Sequence, residues 1–265
     1  MKRCVIRRAV LKYNELNRFE DFLIGEYTAT TAATYKKAMD FLLQDQYLFD
    51  CHNLDVEKVI HKLKTIKYKN QYSKYKNAFL KFCLFLDIKL DEKTRNELDL
   101  LNAEKIKKRR KLIPVELDNI LNRLKIMKDK KLRYSFETML NTGLRVSELS
   151  QIKKEDCIIE KNTIVFNFTG KGGKKEKVIF YSNQDQRLFI ALKTLIENTK
   201  GNKVFYSVNY LQKKANENGF CCHDLRRAYA KINYKKHHDI NQTKTALRHK
   251  DIKNTRIYVN SKVKI

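Results

Sequence analysis

The stretch from Cys221 to Val259 reads CCHDLRRAYAKINYKKHHDINQTKTALRHKDIKNTRIYV. It opens on His223, Arg226 and Arg227 and closes on Arg248, His249 and Tyr258. The spacing His-x-x-Arg predicts a helix with His223 and Arg226 on one face, since residues three apart are neighbours on a helical surface. Two such groups can meet one small anion. A guanidinium presents a planar fork of donors that fits two phosphate oxygens and stays charged at any working pH. A tyrosine nearby is a candidate nucleophile, because a phenol of ordinary pKa ~10 needs neighbouring positive charge to ionise. Cys221, Cys222 and His223 also suggest metal ligands, but a fourth ligand and the usual spacing are missing, so no metal site is expected.

Working outward, the next informative string lies upstream. Leu132, Phe136, Met139 and Leu140 repeat at helical steps and stop at Asn141-Thr142-Gly143, with glycine where a helix ends. Gly143-Leu144-Arg145-Val146-Ser147-Glu148-Leu149 follows. One strand signal comes next: Thr163–Phe168 alternates, Gly170 to Lys174 reads as a turn, and Lys177–Phe180 returns. Helices are expected around Leu188–Ile196 and Val208–Ala215.

The first hundred residues carry apolar stripes at three- and four-residue steps. Leu16, Phe19, Phe22, Leu23 and Tyr27 form one. Tyr35, Met39, Leu42 and Leu43 form the second, with Thr30 or Thr31 as its cap. Asp55 caps a third helix with Val56, Val59, Ile60 and Leu63, and a fourth runs from about Gln71 to Leu86. The opposite faces carry Lys36, Lys37, Lys67, Lys69, Lys74 and Lys76. Between the halves, Lys105–Lys111 reads KIKKRRK, with the chain's only proline, Pro114, just beyond. Like charges discourage packing and proline favours a helix start, so residues 105–113 read as a linker between domains 1–104 and 114–265. A solvated helix end or a basic targeting run is the alternative.

Composition bounds the partners. The 265 residues hold 57 Lys and Arg against 30 Asp and Glu, a formal charge of +27. Such a chain binds polyanions, with nucleic acid before an anionic membrane surface. No signal peptide, transmembrane span or GxxxxGK[ST] phosphate loop is evident, so no membrane and no nucleotide or other cofactor is expected. The six scattered cysteines read as reduced thiols of a cytosolic protein.

His223-Asp224-Leu225-Arg226, Leu247-Arg248-His249 and Tyr258, preceded by Gly143–Leu149, resemble the motif boxes of the tyrosine recombinases, or phage integrase family. The resemblance covers Pro114 to Tyr258 by motif and the remainder by pattern. It implies a mainly α protein of two domains: a helical-bundle core-binding domain, then an α-rich catalytic domain with a small β-hairpin. It implies a site-specific recombinase that cuts and rejoins DNA through a 3′-phosphotyrosyl link. By the same resemblance Arg145, Lys171, His223, Arg226, His249 and Tyr258 are catalytic and Glu148 is a buried acid that orients them. Lys171 stands in the family's Gly-Lys-Gly position, with Lys174, Lys175 and Lys177 close by. Phosphate contacts are expected from Lys107, Lys108, Arg109, Arg110, Lys111, Arg227 and Arg248. The implied partner is double-stranded DNA bearing a recombination site, the implied assembly a monomer that tetramerises on synapsed DNA, and the implied location the cytoplasm, at the nucleoid.

The second box departs from the family at Arg248, where glycine is usual. An ordinary backbone there, with the side chain turned outward to phosphate, is the expectation. Seven residues, Val259 to Ile265, follow Tyr258, too few for an independent helix. They are expected to be loose or self-docked in the free monomer and docked on a neighbour on DNA. A type IB topoisomerase, a silent DNA-binding protein of the same fold, and a nucleic-acid coating protein without chemistry are the competing readings.

Overall fold

Caps and apolar stripes account for most of the element boundaries. The computed structural model describes residues 14–44, 54–106, 115–170, 173–261 and 263–265. Its contacts divide the chain into two compact units, Met1–Lys111 and Leu112–Ile265.

The first unit holds helical residues 14–24 (α1), then α2 (Ala29–Leu42), α3 (Val56–Thr65), α4 (Lys69–Phe85) and α5 (Glu92–Glu104). Thr28, Asp55 and Asp91 accept the backbone N–H of Thr31, Lys58 and Thr94, so each satisfies a donor orphaned at a helix start. The second helix is thus capped by Thr28 rather than by Thr30 or Thr31. The expected stripes form the core around Phe19, Leu23, Met39, Leu42, Leu63, Phe79 and Phe82. Phe19 and Phe82 meet edge to face with ring centres 5.0 Å apart. Phe22, expected in that stripe, is exposed. The sequence reading missed α5, because only Leu98 of its thirteen residues is fully buried and its stripe is correspondingly faint. Among the lysines expected to face solvent, Lys36 pairs with Glu20 at 2.6 Å and Lys76 pairs with Asp99.

The first two residues of the expected linker, 105–113, pair with the first unit. Ile106 forms a parallel bridge with Tyr68, accepting from the Lys69 N–H at 3.0 Å and donating to the Lys67 carbonyl at 3.3 Å. Lys105 and Ile106 are therefore fastened to the first unit, while Lys107, Lys108, Arg109, Arg110 and Lys111 lie outside the described residues.

The second unit runs α6 (Leu117–Ile126), α7 (Lys130–Thr142), α8 (Val146–Leu149), a 3-10 turn (Lys154–Asp156), β1 (Cys157–Ile159), β2 (Thr163–Thr169) and β3 (Lys175–Tyr181). It continues with α9 (Gln186–Glu197), α10 (Val208–Glu217), α11 (Cys222–His237), α12 (Ile240–Ala246) and α13 (Ile252–Val259). The fold is thus mainly α with one small sheet. The strands pair antiparallel in the order β1-β2-β3, with Phe166 opposite Val178 and Phe168 opposite Glu176. β1 is three residues long, too short to leave an alternation in the sequence. Ile164, Phe166, Phe168 and Phe180 turn one sheet face into a core shared with α7, α9 and α11.

Two features of this unit position the site. α7 ends at Gly143 with φ 63° and its N–H on the Met139 carbonyl, as the sequence predicts. A Cβ there would lie 2.4 Å from Cδ1 of Tyr229, so glycine is required by both conformation and space. The chain end docks on its own unit: Val263 is buried in the core, Lys264 donates its N–H to Val115 and accepts from Leu117 at 2.9 Å. This is the self-docked form of the two expected for the free chain.

Candidate active site

The turn after Gly143 sets out the first charges. Arg145 is the N-cap of α8, and Glu148 folds back to accept its backbone N–H at 2.8 Å and its guanidinium. Glu148 is almost sealed from solvent, while the Arg145 side chain keeps a quarter of its surface. Burial alone would raise the Glu148 carboxyl. The Arg145 N–H, then Arg248 and the Arg145 side chain, outweigh it and hold the acid below its ordinary value. It is an anion, as a buried acid facing guanidinium groups must be.

α11 brings the second set. Its first turn is closed by Asp224 accepting from the Cys221 N–H at 2.9 Å, which aims His223 and Arg226 together. His223 is exposed, yet the wall around its ring desolvates it, and Arg227, Arg226 and Arg145 repel a proton, so its pKa is lowered. Arg226 is fully buried. Its two terminal nitrogens donate to the carbonyls of Gly143 and Leu247, with Glu148 3.8 Å away. The sequence reading gave Arg226 an open path to an anion, whereas in this state the guanidinium lies beneath the surface, clamped between two backbone turns. Arg227, expected on phosphate, is paired with Asp224 at 2.8 Å.

The turn between α12 and α13 supplies the third set. The Arg248 N–H donates to Thr245 and the His249 N–H to Lys244, a helix stop that needs a left-handed residue between them. That residue is Arg248, with φ 55°. Both parts of the expectation for Arg248 are corrected: its backbone is left-handed, and its side chain points inward. The guanidinium lies 3.0 Å from Glu148 and 3.4 Å from Glu176, over the Phe168 ring at 5.3 Å. Two carboxylates and an aromatic face hold it there more strongly than water does. The helix stop explains why glycine suits the position, and the ion pairs explain how arginine stands there at a cost of about 1 kcal/mol in backbone strain.

His249 then lies with Nδ1 3.0 Å from the Thr255 hydroxyl. Desolvation first, then Arg226, Arg145 and Arg248, push its pKa down to about 4. Its ring meets the Tyr258 ring edge on at 5.0 Å, and His223 approaches the same ring from 6.3 Å. Half-buried Tyr258 therefore lies against both histidines. The structure brings together Arg145, Glu148, His223, Arg226, His249 and Tyr258, while Lys171 lies outside the described residues. Among the described residues, no three His, Cys, Asp or Glu side chains gather as metal ligands.

The sequence pattern of the phage integrase family matches residues 110–264. The chain belongs to that family. It is 28% identical over 152 residues to tyrosine recombinase XerA of Saccharolobus solfataricus, a match that spans 54% of this chain and half of that protein. The fold is similar to a lambda integrase dimer bound to a COC′ core site (TM-score 0.67, 17% identity, 94% of this chain and 95% of that one). A lambda integrase tetramer bound to a Holliday junction gives a TM-score of 0.68 at 16% identity, with 94% and 77% covered. The Tn1549 transposon integrase in complex with transposon right end DNA gives 0.62 at 16%, with 93% and 95% covered.

Two functional neighbours escaped the sequence reading. Glu176 shares a strand face with Val178 and Phe180, and a lone carboxylate in a core-facing alternation was the signal for it. Thr255, fully buried, left no signal beyond its place three residues before Tyr258 on α13.

Proposed function

We propose that this protein is a site-specific DNA recombinase that cuts and rejoins strands through a tyrosine-linked intermediate. The observation that carries the reading is that Tyr258 lies against His223 and His249, two rings that both feel the charges of Arg145 and Arg226. Cleaving a phosphodiester needs a nucleophile in line, positive charge at the non-bridging oxygens and a proton for the leaving oxygen.

In this reading the Tyr258 oxygen attacks phosphorus while His223, its pKa lowered, takes the phenolic proton. The bond from phosphorus to the 5′-oxygen breaks, Lys171 protonates that oxygen, and a 3′-phosphotyrosyl link and a free 5′-hydroxyl result. Arg145 contacts the phosphate directly. Arg226 acts from below through its field, strong because it is desolvated. His249 is neutral at working pH, and where Thr255 donates to Nδ1 its Nε2 carries the proton and donates to the phosphate. The covalent link retains the bond energy, so rejoining to another strand needs no nucleotide and no metal.

The first unit, with its exposed Lys37, Lys67 and Lys74, serves as the core-binding domain, and the basic residues 107–111 contribute phosphate contacts. The protein is a monomer when free and a tetramer on synapsed double-stranded DNA, in the cytoplasm at the nucleoid. The DNA in the lambda and Tn1549 integrase structures supports the partner, and the tetramer on a Holliday junction supports the assembly. A type IB topoisomerase would use the same residues to reseal one strand. A nicked duplex that traps the covalent product tests the chemistry: the protein forms a denaturation-resistant adduct, and Tyr258→Phe binds DNA without forming one. An adduct with the Phe variant removes Tyr258 from the role. Resolution of a Holliday junction then separates recombinase from topoisomerase.

A further inference from the structure

Arg248 is left over from the chemistry just described. It stands at a position built for glycine, in a left-handed conformation, with an inward guanidinium. Its partners come from two different parts of the unit. Glu148 holds Arg145 in place, and Glu176 belongs to β3, across the hairpin from Phe168. The Glu176 carboxylate also packs against Gly170, where an added Cβ would lie 2.6 Å from its carboxyl carbon. Gly170 is bonded in turn to Lys174 at 2.7 Å and precedes Lys171 in the chain. One guanidinium thus joins the turn that carries Arg145 to the closed end of the β2–β3 hairpin.

We propose that Arg248 is a positioning residue, a clamp from Glu148 to Glu176 that fixes the β2–β3 hairpin against the catalytic arginines. The clamp rests on the recombinase reading, which assigns the leaving-oxygen proton to Lys171. It makes the hairpin part of the site before DNA arrives, and it does so in place of the glycine usual in this family. The Arg248 Nε and Glu176 Oε2 are buried and make no hydrogen bond among the described residues, and they face each other as an ion pair at 3.4 Å. Cutting the pair from either end unties the hairpin: without Glu176 the guanidinium keeps Glu148 alone, and without Arg248 the Glu176 carboxylate loses this cation. The two ends therefore act as one unit.

The test compares Arg248→Gly, Glu176→Gln and the double variant in single-turnover formation of the covalent adduct. The probe is a nicked duplex whose site is selected by this protein from a randomised pool. A second duplex replaces the 5′-bridging oxygen at the cleaved position with sulfur. There the tyrosine oxygen displaces a thiolate that leaves with its electron pair and needs no proton. Each single variant should slow the oxygen substrate by on the order of ten- to a hundred-fold, the lower part of what a positioned general acid contributes, with DNA affinity unchanged. The double variant should be no slower than Arg248→Gly alone, and the sulfur substrate should restore most of the rate to all three.

Additive losses, losses equal on both substrates, or no loss would each overturn the clamp while leaving the recombinase reading intact. No adduct from the unaltered protein on either substrate would overturn that reading and the clamp with it. If Arg248→Gly does not fold, Glu176→Gln alone on the two substrates decides, because it removes one charge and keeps the shape.

Discussion

His249 stores a pH dependence that the fold creates. Its folded pKa of about 4 lies well below the ordinary imidazole value of 6.5, so the unfolded chain takes up a proton first as pH falls. The stability it contributes is complete above about pH 6.5 and is lost progressively down to about pH 4. Between pH 7 and pH 5 the unaltered protein should lose more stability than His249→Gln does, by denaturant titration at each pH. Equal losses would mean the ring is not held neutral. At Gly143 the constraint is steric. Gly143→Ala forces a side chain into a left-handed backbone and into the Tyr229 ring, and should destabilise by about 2–4 kcal/mol in thermal or denaturant unfolding. The same residue offers the carbonyl that holds Arg226, so cleavage should fall with it.

The chain end behaves as an element although it is only a few residues long. Its backbone pairs in parallel with the segment at Glu116, and Val263 fills the core of its own unit. Val263→Ala removes two buried methyl groups and should cost about 1–3 kcal/mol, read as a shift in the denaturation midpoint. A midpoint that does not move would mean the docked tail contributes nothing to the free protein. The site itself depends on element ends rather than element bodies. The stop of α7, the first turn of α11 and the stop of α12 bring Gly143, Arg226 and Leu247 together, and one buried guanidinium joins all three. Such an arrangement is rigid, because moving any one end breaks a charge-assisted bond inside a low dielectric.

For the whole molecule the excess of 57 basic over 30 acidic residues would govern encounter with the DNA proposed as its partner. Affinity should fall linearly in log–log form with added salt, with a slope of roughly 0.9 per phosphate neutralised. Among the described residues, Lys36, Lys64 and Lys76 are partly neutralised by Glu20, Glu97 and Asp99. The slope should therefore report fewer contacts than the count of basic residues suggests. A flat response in a filter-binding or anisotropy titration would remove phosphate contacts from the account of binding.

Local chemistry was legible in the sequence. Helical stripes, the caps at Asp55 and Gly143, the hairpin from Thr163 and the order of the motif boxes depend on residues a few positions apart, and each left its pattern in the chain. The faint helix Glu92–Glu104 escaped because a helix resting one leucine on its neighbours leaves almost no period. The site residues were named by resemblance, but their states were not. That Arg226 is sealed on two carbonyls, that His249 is neutral, and that Arg248 turns inward were decided by partners far along the chain. Glu148 meets Arg248 across 100 residues, and Glu176 meets it from β3. The direction of a long charged side chain is set by the nearest compensating charge and by water exclusion, and both exist only once the chain has folded.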